Sequence, residues 1–421
     1  MPLWGFRSAG DTEQNRPIRP GAIAQTIRPP RAQRRRQGDS VEHDLASDCG
    51  MPQLFTPLAL GPLTLPNRIV IAPMCQYSAV DGNTTDWHLV HLGQLALSGA
   101  GLLIVEATAV SAEGRITPGC LGLYNDANEA ALSRVLQALR NTGTPMPLAI
   151  QLGHAGRKAS SHTPWDGGQQ IPLDQGGWLA QAPSALPQIG GELPPAALDD
   201  AGLQQVQDDF VAAARRAVRL GFQAIELHAA HGYLLHQFLS PIANQRADGY
   251  GGSAANRMRF PLQVFSAVRA AVPAHVAVGM RLSATDWVDG GWGPADSVAF
   301  TRELKRLGGD FIHVSSGGVS PRQQIPIGPG YQVHLAEQIK REAGLPTIAV
   351  GLITEPQQAE DVIASGQADA VAIARGILYD PHWPWHAAAA LGAQVQAPKQ
   401  YWRSQPRGMS QLFGDVRIGM R

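Results

Sequence analysis

The chain has 421 residues, of which 34 are lysine or arginine and 34 are aspartate or glutamate, so its formal net charge is zero. This balance gives the whole chain no net electrostatic attraction for nucleic acid or for an anionic membrane surface. Hydrophobic residues make up 44% and charged residues 16%, a composition that is typical of a globular protein and excludes global disorder.

The sequence does not have the features of a membrane-spanning protein or of a disulfide-rich scaffold. No stretch approaches the roughly 20 uninterrupted apolar residues of a membrane span. The three cysteines, Cys49, Cys75 and Cys120, are too few and too far apart for a disulfide framework or a cysteine-rich metal site. We therefore expect a cytoplasmic protein in a reducing environment, with neither a membrane nor a nucleic acid as its partner.

Residues 1–50 differ from the rest of the chain. They are rich in arginine, proline and glycine and show no hydrophobic periodicity. Such a segment buries too little surface to offset its ordering entropy, so we expect a disordered basic extension. A basic arm that contacts nucleic acid is the alternative. Met51 is a candidate start of the native chain, in which case the extension is not native.

Beyond residue 50, eight short apolar runs recur along the chain. Most of them contain β-branched or aliphatic residues and are bounded by glycine, proline or polar residues. They cover residues 69–72, 102–105, 148–152, 224–227, 276–280, 311–314, 347–350 and 370–373. Continuous apolar runs, rather than alternating ones, are typical of parallel strands that are buried on both faces.

Helix-like stretches separate several of these runs. The spacing of apolar residues predicts helices over residues 200–220, 261–272, 296–307 and 334–343. Eight strand–helix alternations predict a (β/α)8 TIM barrel over residues 51–395, with a doubly wound open sheet as the alternative. Residues 155–200, rich in glycine, proline and glutamine, are interpreted as a long loop excursion after the third strand.

Polar residues follow the predicted strands at the end where a barrel carries its active site. The most informative group is His228, His231 and Tyr233 after the fourth strand. Two imidazoles three residues apart could bind a metal, but no HExxH frame or acidic third ligand accompanies them. They could instead be structural histidines. The third interpretation is that both N–H groups donate to one substrate oxygen, as in an oxyanion hole, with Tyr233 as a proton donor.

A phosphate site is suggested by the turns after the last three predicted strands. Small residues at 316–318 and Gly351 would let backbone N–H groups approach an anion, and Arg375 would add a bidentate contact. Such turns are weak evidence alone. The chain has neither a GxGxxG dinucleotide fingerprint nor a GxxxxGK phosphate loop, so a nicotinamide cofactor would not sit in a Rossmann domain.

Several motifs together resemble the Old Yellow Enzyme family over about residues 51–405. They are LFTP at 54–57, NRIV at 67–70, APMC at 72–75, QLGHAGR at 151–157, HAAHGYLLHQFLSP at 228–241, NQR at 244–246 and DGYGGS at 248–253. The cysteine after Pro-Met, with Tyr77 two residues later, is similar to the thermophilic-like subgroup that includes xenobiotic reductases.

The resemblance implies a tightly bound FMN on the barrel, NADPH as the reductant and reduction of the C=C bond of enones. Nitro compounds and quinones are further candidate substrates, and no metal is expected. The positions that match cofactor contacts are Pro73, Met74, Cys75, Ala107, Gln151, Arg281, Ser316, Gly317, Gly351, Ala374 and Arg375. Ala374 replaces the glycine that the family usually has before this arginine.

The resemblance also assigns substrate and catalytic positions. His228 and His231 match the donors to the substrate carbonyl, Tyr233 the proton donor and Tyr77 a further hydroxyl on the substrate side. Cys75 is assigned to the catalytic residues because it matches the residue beside the flavin that tunes its reduction potential. The remaining implications concern assembly: a homodimer or homotetramer whose C-terminal tail, residues 396–421, reaches a neighbouring active site through Trp402.

Two other functional classes remain as alternatives. A flavin-free, phosphate-binding barrel isomerase would also use the turns at the ends of the strands. A non-catalytic interaction protein is supported only by the basic N-terminal extension. The colour of the purified protein separates these classes from a flavoenzyme.

Overall fold

The computed structural model describes residues 50–143, 146–417 and 419, and the predictions for residues 1–49, including Cys49, lie outside them. The strands in this part are β1 (Leu58–Leu60), β2 (Leu63–Leu65), β3 (Ile69–Ile71), β4 (Leu102–Ala109), β5 (Leu148–Gly153), β6 (Gln181–Ala182), β7 (Ala196–Ala197), β8 (Ala224–Ala229), β9 (Ala277–Ser283), β10 (Phe311–Ser315), β11 (Thr347–Val350) and β12 (Ala370–Ile373). The helices are α1 (Asp86–Ala96), α2 (Asp126–Asn141), α3 (Asp200–Arg219), α4 (Leu234–Leu239), α5 (Ala254–Ala271), α6 (Pro294–Arg306), α7 (Val333–Ala343), α8 (Pro356–Ala364), α9 (Arg375–Tyr379) and α10 (Trp383–Leu391).

The eight apolar runs form one closed parallel barrel, in the order β3-β4-β5-β8-β9-β10-β11-β12. The last strand pairs with the first, with Val371 opposite Ile69 and Ile373 opposite Ile71. This pairing leaves the sheet without an edge, so the (β/α)8 prediction is confirmed and the open-sheet alternative is wrong.

Both faces of each barrel strand are buried, which explains the continuous apolar runs. In β3, Ile69 and Ile71 pack outward in the large cluster between the strands and the helices. Val70 and the following Ala72 pack inward with residues from the other strands. Successive side chains of a strand point to opposite faces, so a strand with a core on each side needs an apolar residue at every position.

The N-terminal end of the barrel is filled by apolar side chains. The antiparallel hairpin β1–β2 contributes Leu60, Leu63 and Leu65 to the interior cluster, together with Phe311 of β10. Gly279 of β9 makes room for that ring, because a Cβ there would overlap Phe311. In the described residues the barrel interior is therefore filled at this end, whereas its C-terminal end is open to a ligand.

The four predicted helices are present, with one boundary in error. The helix predicted over residues 261–272 begins at Ala254, where the Ser253 side chain accepts a hydrogen bond from Asn256 N as an N-cap. Pro261 lies inside this helix rather than at its start. The cap satisfies one of the free N–H groups of the first turn, and this local signal outweighs the usual tendency of proline to mark a boundary.

The excursion after β5 is a loop, as predicted. It contains short 3-10 turns and the two-residue parallel pair β6–β7. Arg157 connects it to the barrel mouth: Nη2 donates to Val319 O at 2.6 Å and Nε donates to Gln188 Oε1 at 3.0 Å. None of the helices in the described ranges combines the length and the apolar character that crossing a membrane requires.

Candidate active site

The interior of the barrel changes from apolar to polar toward the C-terminal ends of the strands. In β8, Ala224 lies in the apolar interior cluster, and Glu226 and His228 follow it at steps of two residues. Arg281 of β9 lies opposite both His228 of β8 and His313 of β10. The predicted site residues His228 and Arg281 therefore lie side by side on neighbouring strands at this end of the barrel.

His228, His231 and Tyr233 form a cluster of rings at this end. The two imidazole centroids are 5.1 Å apart with planes at 84°, and the His228 and Tyr233 rings are 4.8 Å apart at 89°. His228 is 3% exposed. Among the described residues, no group of three or more His, Cys, Asp or Glu side chains is arranged to hold a metal ion. The cluster is thus a pair of imidazoles with an adjacent phenol.

Burial and the charge of Arg281 lower the pKa of both histidines well below the ordinary value, so both rings are neutral at neutral pH. His228 Nδ1 accepts a hydrogen bond from Ala230 N at 3.2 Å, which places the ring proton on Nε2. His231 Nε2 lies 2.7 Å from Ser315 Oγ. Burial raises the pKa of Tyr233 well above its usual range, which keeps the phenol protonated. Each ring therefore retains one hydrogen to donate.

The turn that carries His231 has a strained backbone. His231 has a φ of +59° and Gly232 a φ of +75°, and a Cβ on Gly232 would overlap the Gly318 carbonyl oxygen. Left-handed backbone at a non-glycine residue persists only where the surroundings fix it. Here Lys158 Nζ donates to His231 O at 2.9 Å, and His231 N donates to Ser283 Oγ at 2.9 Å.

A buried imidazole–carboxylate pair supports the same turn from behind. Gly232 N donates to His236 Nδ1 at 2.8 Å, so His236 presents Nε2–H to Asp286 Oδ1 at 2.8 Å. Asp286 also accepts from Ser240 Oγ at 2.6 Å and from Trp292 N at 2.8 Å. Burial alone would raise the pKa of Asp286, but these hydrogen bonds hold it below its usual value.

A second buried pair lies inside the barrel beside Arg281. Glu226 Oε1 accepts from Gln151 Nε2 at 2.7 Å, and Glu226 Oε2 lies 2.9 Å from His313 Nδ1. Arg281 is 7% exposed, and its Nε has no hydrogen-bond partner among the described residues. A buried guanidinium with an unpartnered N–H is costly unless a ligand acceptor satisfies it. This atom therefore points to an anionic or oxygen-rich ligand.

Arg281 opens onto a cavity of about 220 Å³ at the barrel mouth. His231, Gly351, Ala374 and Arg375 also line it, so five residues predicted from the sequence meet in one space. Gly351 has a φ of +129°, a backbone conformation that favours glycine. The two guanidinium groups and the exposed backbone give this cavity the character of an anion site.

Ser316 and Gly317 are engaged by protein partners. Ser316 Oγ donates to Gln332 Oε1, and Gly317 N donates to Thr285 O at 2.8 Å. Gln332 also donates to Val350 O at 2.8 Å, next to Gly351. The phosphate contacts expected of Ser316 and Gly317 stay predictions, since both groups already have partners within the protein.

The loop after β3 carries Pro73, Met74, Cys75 and Tyr77 to the same end of the barrel. It is tied to β4 because Gln76 N donates to the buried carboxylate of Glu106 at 2.8 Å. Burial, with Cys120 and Glu106 nearby, raises the pKa of the Cys75 thiol well above its ordinary value.

Three further predicted residues have different surroundings. Tyr77 has a φ of +51°, and its ring meets that of Trp165 from the excursion edge-on at 5.6 Å. Ala107 lines a small cavity that also reaches His228 and Tyr233. Trp402 lies apart from this group: its Nε1 donates to Ala397 O at 3.1 Å, and its side chain packs on the core of its own chain. Its reach into a neighbouring subunit stays a prediction.

Five polar residues that support the site were not predicted from the sequence: Glu226, His313, Gln332, His236 and Asp286. Glu226 and His313 each interrupt an apolar run at an inward-facing position, which is a signal that the sequence contains. His236 lies inside a quoted motif, but its partner Asp286 is fifty residues away, and local patterns do not reveal such a pairing.

Residues 53–394 match the family model described as "NADH:flavin oxidoreductase / NADH oxidase family". An NADH:flavin oxidoreductase of Gibberella zeae is 42% identical over 85% of this chain and 91% of its own length. An NADPH dehydrogenase of Geobacillus thermodenitrificans is 43% identical over 83% of this chain and 98% of its own length. Among solved structures, morphinone reductase superposes with a TM-score of 0.68 at 32% identity, covering 84% of this chain and 93% of that one.

These matches agree with the geometry. The unpartnered Arg281 Nε and the cavity between two guanidinium groups suit an anionic ring compound that carries a phosphate. The chain is an oxidoreductase that uses FMN and a nicotinamide reductant, and the alternatives of a flavin-free isomerase and a non-catalytic protein are wrong. The sequence, the barrel and the named relatives agree that this chain belongs to the NADH:flavin oxidoreductase / NADH oxidase family, the family of Old Yellow Enzyme.

Proposed function

We propose that this enzyme uses NADPH to reduce the C=C bond of α,β-unsaturated carbonyl compounds. The observation that carries the proposal is the pair of neutral imidazoles at the C-terminal end of the barrel. The ring centroids of His228 and His231 are 5.1 Å apart. Two N–H donors on a carbonyl oxygen polarise the conjugated alkene and stabilise the negative charge that develops on the oxygen. Hydride transfer is the chemistry that FMN supplies when bound.

The protonation of each imidazole follows from its neighbour. His228 donates through Nε2, because Nδ1 accepts from Ala230 N. A Ser315 hydroxyl that donates to His231 Nε2 leaves the proton of that ring on Nδ1. The lowered pKa values keep both rings neutral at neutral pH. Each imidazole therefore donates a hydrogen bond to the substrate oxygen without transferring its proton.

Tyr233 is the proposed acid that delivers a proton to the α-carbon. Its ring packs against His228, which orients the phenol toward the same space. Lys158 Nζ lies 5.1 Å from the centre of the Tyr233 ring. The raised pKa makes Tyr233 a weak acid, which suits donation to a strongly basic carbanion and prevents loss of the proton beforehand.

The cofactor residues have corresponding proposed roles. Arg281 and Gln151 would contact the polar edge of the FMN ring system, while Gly351, Ala374 and Arg375 would hold the phosphate end. Pro73, Met74, Cys75 and Ala107 would line the ring. Both half-reactions would share this site, so ping-pong kinetics are expected.

We also propose a homo-oligomer in which the tail at 396–421 meets a neighbouring active site, with Tyr77 and Trp402 as substrate contacts. The basis is the family resemblance in the tail. Trp402 is partly buried against its own chain, so this role requires the segment around it to present another face to the neighbour.

The test is anaerobic reduction of the yellow holoenzyme by NADPH, followed by reoxidation with a panel of enones, nitro compounds and quinones. The wild-type enzyme should be reoxidised fastest by enones. Replacing His228 and His231 together with alanine should slow that step by at least a hundredfold, since losing one oxyanion donor costs roughly 2.7–4 kcal/mol.

His386→Gln is the matched control, because this imidazole is 68% exposed and lies on α10, away from the ring cluster. It should reoxidise like the wild type. Enone turnover within a few-fold of normal in the double variant would contradict the donor role. Reoxidation by quinones alone would contradict the substrate class.

A further inference from the structure

Glu226 is a buried carboxylate at the polar end of the barrel interior that the proposed function does not use. It lies two residues before His228 on the inner face of β8 and is fully buried. Its two oxygens face Gln151 Nε2 and His313 Nδ1, at 2.7 and 2.9 Å. A buried carboxylate is costly, so its retention beside a proposed cofactor site calls for a reason beyond packing.

The first consequence of this carboxylate is the orientation of Gln151. An amide presents a nitrogen on one side and an oxygen on the other. Because Nε2 donates to Glu226, the Gln151 oxygen and its second N–H are left for a ligand. Gln151 and Glu226 are direct partners in the strand register, so this orientation is built into the barrel.

The second consequence concerns charge. Glu226 is the carboxylate that most favours the charged form of Arg281, against a burial that lowers the pKa of the guanidinium. Arg281 stands opposite His313, which contacts the same carboxylate. In a low-dielectric interior, the negative charge of Glu226 reduces the positive potential that Arg281 presents to a ligand.

We propose that Glu226 is a positioning residue that orients Gln151 and that its negative charge, by offsetting the charge of Arg281, lowers the reduction potential of bound FMN. Two-electron reduction with uptake of one proton adds one negative charge to the ring system. A nearby carboxylate therefore opposes reduction, and Arg281 favours it. The inference rests on the proposed placement of FMN beside Gln151 and Arg281, and it does not depend on the enone substrate.

The experiment measures the midpoint potential of FMN in the Glu226→Gln holoenzyme by equilibration with a reference dye. Glutamine keeps the size of the side chain and removes its charge. The ratio of affinities for reduced over oxidised FMN should rise at least tenfold, about 30 mV for a two-electron couple. A purely structural role would weaken both affinities equally and leave the potential unmoved.

Asp286→Asn is the matched control, since Asp286 is also fully buried and also paired with a histidine. In this variant, the ratio of affinities for reduced over oxidised FMN should change less than twofold. An unmoved or lowered potential in Glu226→Gln overturns the proposal. So does a change of the same size in Asp286→Asn, because it would mean that any buried carboxylate has this effect.

Two further variants keep the inference testable. Glu226→Asp retains the negative charge on a shorter side chain, so its ratio of affinities for reduced over oxidised FMN should stay within twofold of the wild-type ratio. A tenfold change in this ratio overturns the proposal even if Glu226→Gln does not fold. Arg281→Met should lower the potential. If Arg281→Met lowers the potential and Glu226→Gln leaves it unchanged, the proposal for Glu226 is wrong while the placement of FMN stands. If Arg281→Met leaves the potential unchanged, the proposed placement of FMN is wrong.

Discussion

Two buried imidazole–carboxylate pairs lie at the same end of this barrel and differ in how completely they are satisfied. Asp286 accepts from His236, Ser240 and the backbone of Trp292, all at 2.6–2.8 Å. Glu226 has two side-chain neighbours, and beside it the Arg281 Nε lacks a partner among the described residues.

This difference separates a pair that supports the fold of the site from a pair that acts on a ligand. The Asp286 pair satisfies its own polar groups and ends on Gly232 N, so it holds the turn that presents His231. The Glu226 pair stands beside a cation that still needs an acceptor, so its electrostatic effect extends to a ligand. A fully satisfied buried network rigidifies the fold, whereas an unpartnered buried cation at the mouth of a cavity leaves an interaction that a ligand can satisfy.

The largest expected effect comes from removing the satisfied carboxylate. Asp286→Ala leaves three donors without an acceptor, and breaking a buried pair in this way costs roughly 3–5 kcal/mol. We expect a loss of that size in the free energy of unfolding, measured by urea denaturation of the holoenzyme at fixed, saturating FMN.

The chain offers an exposed counterpart as the control. Asp380 pairs with His386 at 2.6 Å, but that imidazole is 68% exposed. Asp380→Ala should cost no more than about 1 kcal/mol, the usual value of an exposed ion pair. If both substitutions cost the same, the Asp286 network is not the support that the comparison describes.

A second, intermediate effect is a loss of stability in acid. The Glu226–His313 pair and the Asp286–His236 pair should lose their contributions to stability in different pH ranges. Burial lowers the pKa of His313 below 6.5, and it lowers that of His154 to about 4. The folded state thus binds fewer protons than the unfolded chain, so their contribution is present above pH 6.5 and is lost as the pH falls toward the folded pKa. Asp286, whose pKa is depressed from 3.8, loses its contribution only below that value.

Each such histidine contributes a slope of up to about 1.4 kcal/mol per pH unit. Urea midpoints measured from pH 7 to pH 4 should therefore fall steadily below pH 6.5. His154→Gln should flatten the slope, because it removes a buried imidazole whose pKa is lowered to about 4. A midpoint that is constant down to pH 4 would contradict the neutral, buried state of these rings.

The barrel was predictable from the sequence because its strands are buried on both faces. The run at 69–72 is apolar at every position since Ile69 and Ile71 face the helices while Val70 and Ala72 face the interior. Helix α1 was not predicted, because Trp87 and Val90 leave apolar residues on its exposed side and obscure the period.

The candidate site was predictable only where a motif or a strand end announced it. His228, Arg281 and Gly351 stand at strand ends and do line the barrel mouth. Glu226 and His313 lie inside runs that resemble a plain core, so their partnership depends on the register of β8, β9 and β10, which sequence patterns do not give. The surroundings of Trp402 depend on the path of the tail, for which no periodicity exists.

The smallest expected effect concerns Cys75, which lies near the same ring-binding end as Glu226 but is uncharged. Burial first, then the nearby Cys120, raises the pKa of the Cys75 thiol, so at neutral pH its replacement removes no charge. Cys75→Ala should therefore change the reduced-over-oxidised FMN affinity ratio by less than threefold, about 14 mV, against at least tenfold for Glu226→Gln. Dye equilibration measures both variants, and alkylation of Cys75 at pH 7.5 should be slower than that of a free thiol. A larger shift in Cys75→Ala, with fast alkylation, would identify a thiolate and make Cys75 a second charge acting against Arg281.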